Sequence, residues 1–192
     1  MCPTLKVKEQ RKGATMNYNM PGFNELVQRR PKYLLKLLKK FQNIIYTDVD
    51  TIWLKDPRPY LVGEFDFWAQ IDGITSGLPY INGYIPFFCT GFMAFQSSSK
   101  TLSLLKKWYQ ELKSVNVDDQ MVFQRTAFEM SANGRVLPTN EFPSGRHYFQ
   151  LMCEKERKHA VVIHNNFIVG KQQKISRFKE WNLWVPTLTN GK

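Results

Sequence analysis

The chain has few cysteines, a shortage of acids and no long apolar run, and each shortage removes a class of protein. Three cysteines, Cys2, Cys89 and Cys153, are scattered through 192 residues. No two have the close spacing of a structural zinc site, so that class drops out. A single bridge between Cys89 and Cys153 stays open, because spacing neither requires nor forbids it. The most apolar stretch, YINGYIPFFCTGFMAF from Tyr80 to Phe95, is broken by Asn82, Gly83, Pro86, Thr90 and Gly91. It falls short of the roughly 18 uninterrupted apolar residues of a membrane helix. The N-terminal MCPTLKVKEQRKG has no apolar signal core, so a membrane is expected only through an anchor absent from this chain. No Asn-x-Ser/Thr acceptor occurs, and glycosylation gives no sign of a luminal location.

Sixteen acids face 27 lysines and arginines, for a net charge of +11. Such a surface favours polyanions in general, phosphorylated substrates among them. The bases are spread over helix-like stretches (Lys36, Lys39, Lys40; Lys106, Lys107, Lys113; Lys171, Lys174, Lys179), which reads as solvated helix faces. Aromatic residues sit at core-like positions instead of interleaving with a basic strip, so nucleic acid is not an expected partner. With 43% apolar residues the chain can fill one core of ordinary size.

Residues 1–30 are polar and basic without a sustained period and read as a terminal segment; the domain proper is expected over 31–192. Pro31 suits a helix start, and KYLLKLLKKF sets Leu34, Leu35, Leu37, Leu38 and Phe41 among lysines as an amphipathic helix. NIIYTDVDTIWL (43–54) then reads as a core strand carrying Asp48 and Asp50, with Asp50 nearer its carboxyl end. Further strands are expected in 64–72, 86–96, 134–138 and 160–166, with a loop over 73–86. Helices are expected over 99–113, 118–130, with Met121, Val122 and Phe128 inward, and 174–184. Alternation of strands and helices predicts an α/β layered domain with a mixed, mainly parallel sheet flanked by helices.

Open α/β sheets bind ligands beyond the carboxyl ends of their strands. Three polar clusters fall at such places: Asp48/Asp50, Asp118-Asp119-Gln120 and His164-Asn165-Asn166. The Asp-x-Asp pair is flanked by Ile44, Ile45, Tyr46, Ile52, Trp53 and Leu54, and burying unpaired carboxylates there is costly without a cation. A divalent ion of the Mg²⁺ or Mn²⁺ kind takes one or two carboxylates together with substrate phosphates. His164 is a candidate further ligand, with a satisfied strand-end histidine as the alternative. Asp119 is a candidate for capping a helix or, equally, for a functional contact. Thr90-Gly91 marks either a close backbone approach or tight packing.

In this order, YTDVDTIWLKDP, FFCTGFMAF, DDQMVF, LPTNEFPSGRHYF and VVIHNNFIVGKQQKISRFKEWNLW resemble the nucleotide-diphospho-sugar transferase family of GT-A glycosyltransferases, relatives of the plant pectin xylosyltransferases. The resemblance runs from about Pro31 to Trp184. It implies a GT-A-like, Rossmann-like fold, a UDP-sugar donor, a divalent metal, Mn²⁺ ahead of Mg²⁺, and retaining transfer to a hydroxyl of a glycan or protein. Carried over residue by residue, Asp48 and Asp50 match the DxD motif, with Asp50 the more direct ligand, and His164 matches the carboxyl-terminal metal ligand. Gly170, Lys171 and Lys174 match the loop that approaches the diphosphate, with Asp48 beside them. Beside that match, Asp119 and Gln120 are candidates for lining the face shared by donor and acceptor, and Thr90-Gly91 is a candidate for close approach by the sugar, with a bulge or tight packing as the alternative. Nothing ahead of Pro31 resembles the first nucleotide-binding strand and helix of that fold, so a partial domain is expected. A Golgi lumen location follows for a full-length protein from the resemblance.

Other readings of the same residues are an inactive transferase-like domain, a haloacid dehalogenase-type phosphotransferase using Asp48 as nucleophile, and a basic nucleic-acid-binding module. The phosphotransferase motif wants Thr or Val where this chain has Ile52, and it leaves HNNFIVGKQQK without a role.

Overall fold

Ser98 illustrates how local chemistry sets the element boundaries. Its side chain accepts from the Thr101 backbone N–H, which caps a helix from Ser99 to Leu112. The computed structural model describes residues 21–72 and 87–184. Its elements are α1 (Pro21–Val27), α2 (Arg30–Leu38), β1 (Asn43–Thr47), β2 (Thr51–Trp53), β3 (Phe67–Ile71), β4 (Phe88–Gln96), α3 (Ser99–Leu112), α4 (Asp119–Glu129), β5 (Gly134–Val136), α5 (Glu154–Arg157), β6 (Val162–His164) and α6 (Lys171–Glu180). A 3₁₀ turn over Arg58–Tyr60 and a π-helical turn over His147–Leu151 complete the order. The loop expected over 73–86 lies outside the described residues. Helix α1 falls within the segment read as a polar terminus.

The main sheet has the order β1-β4-β3-β5. β4 runs antiparallel to both β1 and β3, while β3 and β5 are parallel. Hence β1, β3 and β5 share one direction and only β4 among these four is reversed. The expected mixed α/β sheet is therefore present, with parallel strand directions predominating even though most of the hydrogen-bonded pairings are antiparallel. The carboxyl ends of β1, β3 and β5 lie on one edge, where β4 begins. Strand β4 is buried along nearly its whole length, as a strand covered on both faces must be.

One face of the sheet is closed by α2, α3 and α4. Leu34, Leu38, Phe67, Met93, Phe95, Trp108 and Phe123 form the centre of that core. On the other face Trp68, Phe92, Leu137, Phe142 and Val162 pack together. A smaller cluster of Tyr148, Met152, Ala160 and Ile163 takes Trp181 against it and fixes the end of α6.

Two expectations are corrected. The stretch 43–54 is two strands: β1 pairs with β4, β2 pairs antiparallel with β6 in a separate sheet, and Asp48-Val49-Asp50 forms the turn between them. The chain changes partners at this point, so the acids stand outside the ladders and Val49 is fully exposed. In α4, Val122 is buried as expected, but Met121 and Phe128 are exposed. The inward stripe is Asp119, Val122, Phe123, Thr126 and Ala127, whose helical spacing turns Met121 and Phe128 to solvent.

Candidate active site

The partner change at Asp48 and the antiparallel pairing of β2 with β6 bring distant residues together. Thr51 lies opposite His164 in that ladder, and the Asn165 N–H donates to the Asp50 carbonyl at 2.9 Å. The Asp48 N–H donates to the Gly91 carbonyl at 2.8 Å, which ties the turn to β4. As a result one ligand atom each from Asp48, Asp50 and His164 falls within 4.8 Å of the others. His164 Nε2 is 3.5 Å from Asp50 Oδ1 and 4.0 Å from Asp48 Oδ2.

Charges around this point are balanced by side chains from several elements. Lys174, on α6, donates to Asp50. Burial by itself would raise the Asp50 carboxyl, but His164 and Lys174 overcome it and hold the group well below the usual carboxylate range. Burial likewise disfavours charge on His164, yet the Cys89 sulfur and Asp50 outweigh it and raise the imidazole to about 10. Asp48 accepts from the Tyr46 hydroxyl at 2.6 Å and from Arg30 at 3.2 Å. Arg30 is buried and reaches Asp119 at 2.7 Å with its other terminal nitrogen.

Two oxygens and an imidazole nitrogen, gathered beside neutralising cations, form a donor set that suits Mg²⁺ or Mn²⁺. These three residues are the ones in the described chain that could hold such an ion.

A second polar group adjoins the first. Asp118 caps α4 by accepting from the Gln120 N–H at 2.8 Å, so Asp119 is not the cap and turns inward. Burial pushes the Asp119 carboxyl up to about 7, against the pull of Arg30 and with help from Asp118 and Asp48. Gln120 is held at both ends: its Nε2 donates to Asp72 at 2.7 Å, and its Oε1 accepts from the Thr90 N–H at 3.1 Å. Asn166 also donates to Asp72, at 3.2 Å. Burial raises the Asp72 carboxyl, although Gln120 opposes the shift.

The family model for nucleotide-diphospho-sugar transferases matches residues 2–178. The chain belongs to the nucleotide-diphospho-sugar transferase family. Over 88% of its length it is 31% identical to UDP-D-xylose:L-fucose alpha-1,3-D-xylosyltransferase 3 of Arabidopsis thaliana, covering 49% of that protein. The corresponding xylosyltransferase MGP4 of the same plant is 33% identical over the same share, with 52% covered. The chain thus spans about half the length of these curated relatives. A UDP-galactose:fucoside alpha-3-galactosyltransferase of Dictyostelium discoideum is 25% identical over 88% of the chain and is covered to 29%. Among solved structures, a glycosyltransferase involved in the glycosylation of the major capsid of PBCV-1 superposes with a TM-score of 0.58 at 12% identity, over 92% of this chain and 81% of that one. That likeness shows the fold, which is the GT-A-like one expected from the sequence.

Within this family member the residues singled out from the sequence are distributed as follows. Asp48, Asp50, His164 and Lys174 meet at one point. Thr90 and Gln120 meet at a second, and Asp119 is linked to the first through Arg30. Gly91 lies against His164: a Cβ there would come 2.1 Å from the ring. Gly170 has φ of +100° and precedes α6, where Lys171 is exposed on the first turn. Cys89 and Cys153 are both free.

Arg30, Tyr46 and Asp72 escaped the sequence reading. Arg30 looked like one more base of the terminal segment. Its signal was position: a cation at a helix N-terminus opposes the helix dipole and calls for a carboxylate partner. Asp72 ends β3 on the same edge as Asp48, so the strand-end rule that found the other acids applies to it as well.

Proposed function

We propose that this chain carries the donor-binding machinery of a metal-dependent glycosyltransferase that moves a pentose or hexose from a UDP-sugar to a hydroxyl of a glycan or protein, with retention. The observation that carries the reading is the convergence of Asp48, Asp50 and His164 on one point. In such a transfer the bond from the anomeric carbon to the diphosphate oxygen breaks and one to the acceptor oxygen forms. The acceptor proton passes to the departing diphosphate.

Asp48, Asp50 and His164 would hold the divalent ion, Mn²⁺ ahead of Mg²⁺. When bound, that ion neutralises the diphosphate and stabilises the charge developing on it. Lys174, already an ion-pair partner of Asp50, supplies an ammonium beside the same phosphates, with Gly170 and Lys171 at the start of its helix. Gln120 lines the face on which donor and acceptor meet, and Asp119, buried behind it, is held by Arg30 and supports that face from within. Gln120 is fixed there through Thr90 and Asp72, so little ordering is left to the moment of reaction. Residues 31–192 form the transferase domain in this reading, and the full-length protein works in the Golgi lumen. Among the described residues no helix is long and apolar enough to cross a membrane. Family membership favours sugar transfer over the phosphotransferase and nucleic-acid readings.

The test is calorimetric titration with UDP in the presence and absence of Mn²⁺. UDP binding is expected to require Mn²⁺ and to be lost in Asp50→Ala and in His164→Ala. Binding that survives both substitutions removes the metal site and the donor assignment with it.

A further inference from the structure

His164 is gripped from behind by β4. Cys89 Sγ lies 3.3 Å from His164 Nδ1, and Gly91, two residues on, leaves the space that the ring occupies. The opposite nitrogen, Nε2, points at the two acids. A neutral imidazole carries one proton, so whatever pairs with Nδ1 decides whether Nε2 is free to ligate.

Asn166 also reaches the sulfur. Asn166 Oδ1 accepts from the Gly145 N–H at 2.7 Å, which fixes the orientation of the amide. Its Nδ2 therefore faces Asp72 at 3.2 Å and the Cys89 sulfur at 3.9 Å. A thiol sulfur has lone pairs besides its S–H, so it has the capacity to accept from Asn166 and from His164 Nδ1–H together, and the tautomer of His164 fixes the direction of the 3.3 Å contact. Cys89 itself is buried, at 3% exposure, and its Sγ is the hydrogen-bond partner of Nδ1 among the described residues.

We propose that Cys89 is a positioning residue: its sulfur accepts from His164 Nδ1–H and holds the imidazole in the tautomer that presents Nε2 to the ion between Asp48 and Asp50. The proposal rests on the metal-site reading above. Metal-bound histidines generally need such a partner on the far nitrogen, where carboxylates, carbonyls or water usually serve, and loss of it lowers affinity about 10–100-fold. Here a thiol fills the place. A buried cysteine otherwise behaves as a small hydrophobe, and in that case replacing it would leave the ring nitrogens unchanged.

The experiment measures Mn²⁺ affinity by calorimetry for the wild-type chain, Asp50→Ala, Cys89→Ala and Cys89→Ser. It also reads the His164 ring nitrogens by ¹⁵N NMR with Zn²⁺ as a diamagnetic probe. Cys89→Ala is expected to weaken Mn²⁺ binding about 10–100-fold, and Cys89→Ser, which keeps an acceptor, to recover part of the loss. The Zn²⁺-bound wild type is expected to carry its proton on Nδ1. Absence of Mn²⁺ binding in the wild type, or binding unaffected by Asp50→Ala, overturns the metal-site reading itself. Binding lost in Asp50→Ala but unchanged in Cys89→Ala overturns the role of Cys89 alone. So does a wild-type proton found on Nε2, which decides the matter even if Cys89→Ala fails to fold.

Discussion

Arg30 joins Asp48 of the β1–β2 turn to Asp119 of α4, so one buried guanidinium couples two parts of the candidate site. The Asp119 carboxyl titrates near 7 instead of 3.8, chiefly because it is buried. Between those values the folded protein holds a proton that the unfolded chain has released, and the stability from this group falls as pH rises through the window. Urea denaturation at intervals from about pH 4 to pH 7 is expected to show a decline of up to about 1 kcal/mol per pH unit from this one proton, absent in Asp119→Asn. Gly91 supports a second prediction. The Cβ of Gly91→Ala would press on a buried histidine ring, so the substitution costs about 1–3 kcal/mol and weakens Mn²⁺ binding without removing any ligand. Thermal unfolding and a Mn²⁺ titration on the same variant check both parts. The type of residue at Gly91 was legible in the sequence, but its neighbour was not. A sequence separation of 73 positions between Gly91 and His164 hid the contact.

Helix α3 and helix α4 were legible because their signals are local: a capping serine or aspartate followed by apolar residues at helical spacing. The stripe of α4 was misread at Met121 and Phe128, since a short helix rich in apolar residues permits more than one inward face until a sheet selects it. Trp108 shows what that selection does. It is wholly buried against Phe123, with ring centroids 4.8 Å apart, and its Nε1 donates to the Asp119 carbonyl at 3.0 Å. Trp108→Ala is expected to destabilise the fold by about 3–5 kcal/mol and to free the first turn of α4, on which Asp119 and Gln120 stand. Chemical denaturation measures the first effect, and hydrogen exchange at the amides of that turn measures the second. Strand β4 gives a related case. Its register against β3 shifts between Ala69 and Gln70, which pair with Met93 and Cys89. The irregularity lets Gln120 take the Thr90 N–H and lets Gly91 face His164.

For the molecule as a whole, ligand binding and folding are linked in this proposal, because Asp48 and Asp50 in the β1–β2 turn and His164 on β6 come together only in the folded state. Mn²⁺ with UDP at about 100 times the dissociation constant adds about 2.7 kcal/mol, which for a chain of this size raises Tm by about 5–10 °C. Differential scanning fluorimetry is expected to show this rise in the wild type and not in His164→Ala. The sequence by itself determined the alternation of helices and strands, the excess of basic charge and the family, because periodicity, composition and ordered motifs are properties of the chain as written. It also supplied Asp48, Asp50 and His164 as candidates. Only the tertiary structure decided that Asp48 and Asp50 stand in a turn, that Cys89 and Gly91 hold the histidine, and that Arg30 and Asp72 brace the site. Each of those facts depends on which strands pair and which helix faces are buried, and such long-range contacts are set by the packing of the whole core.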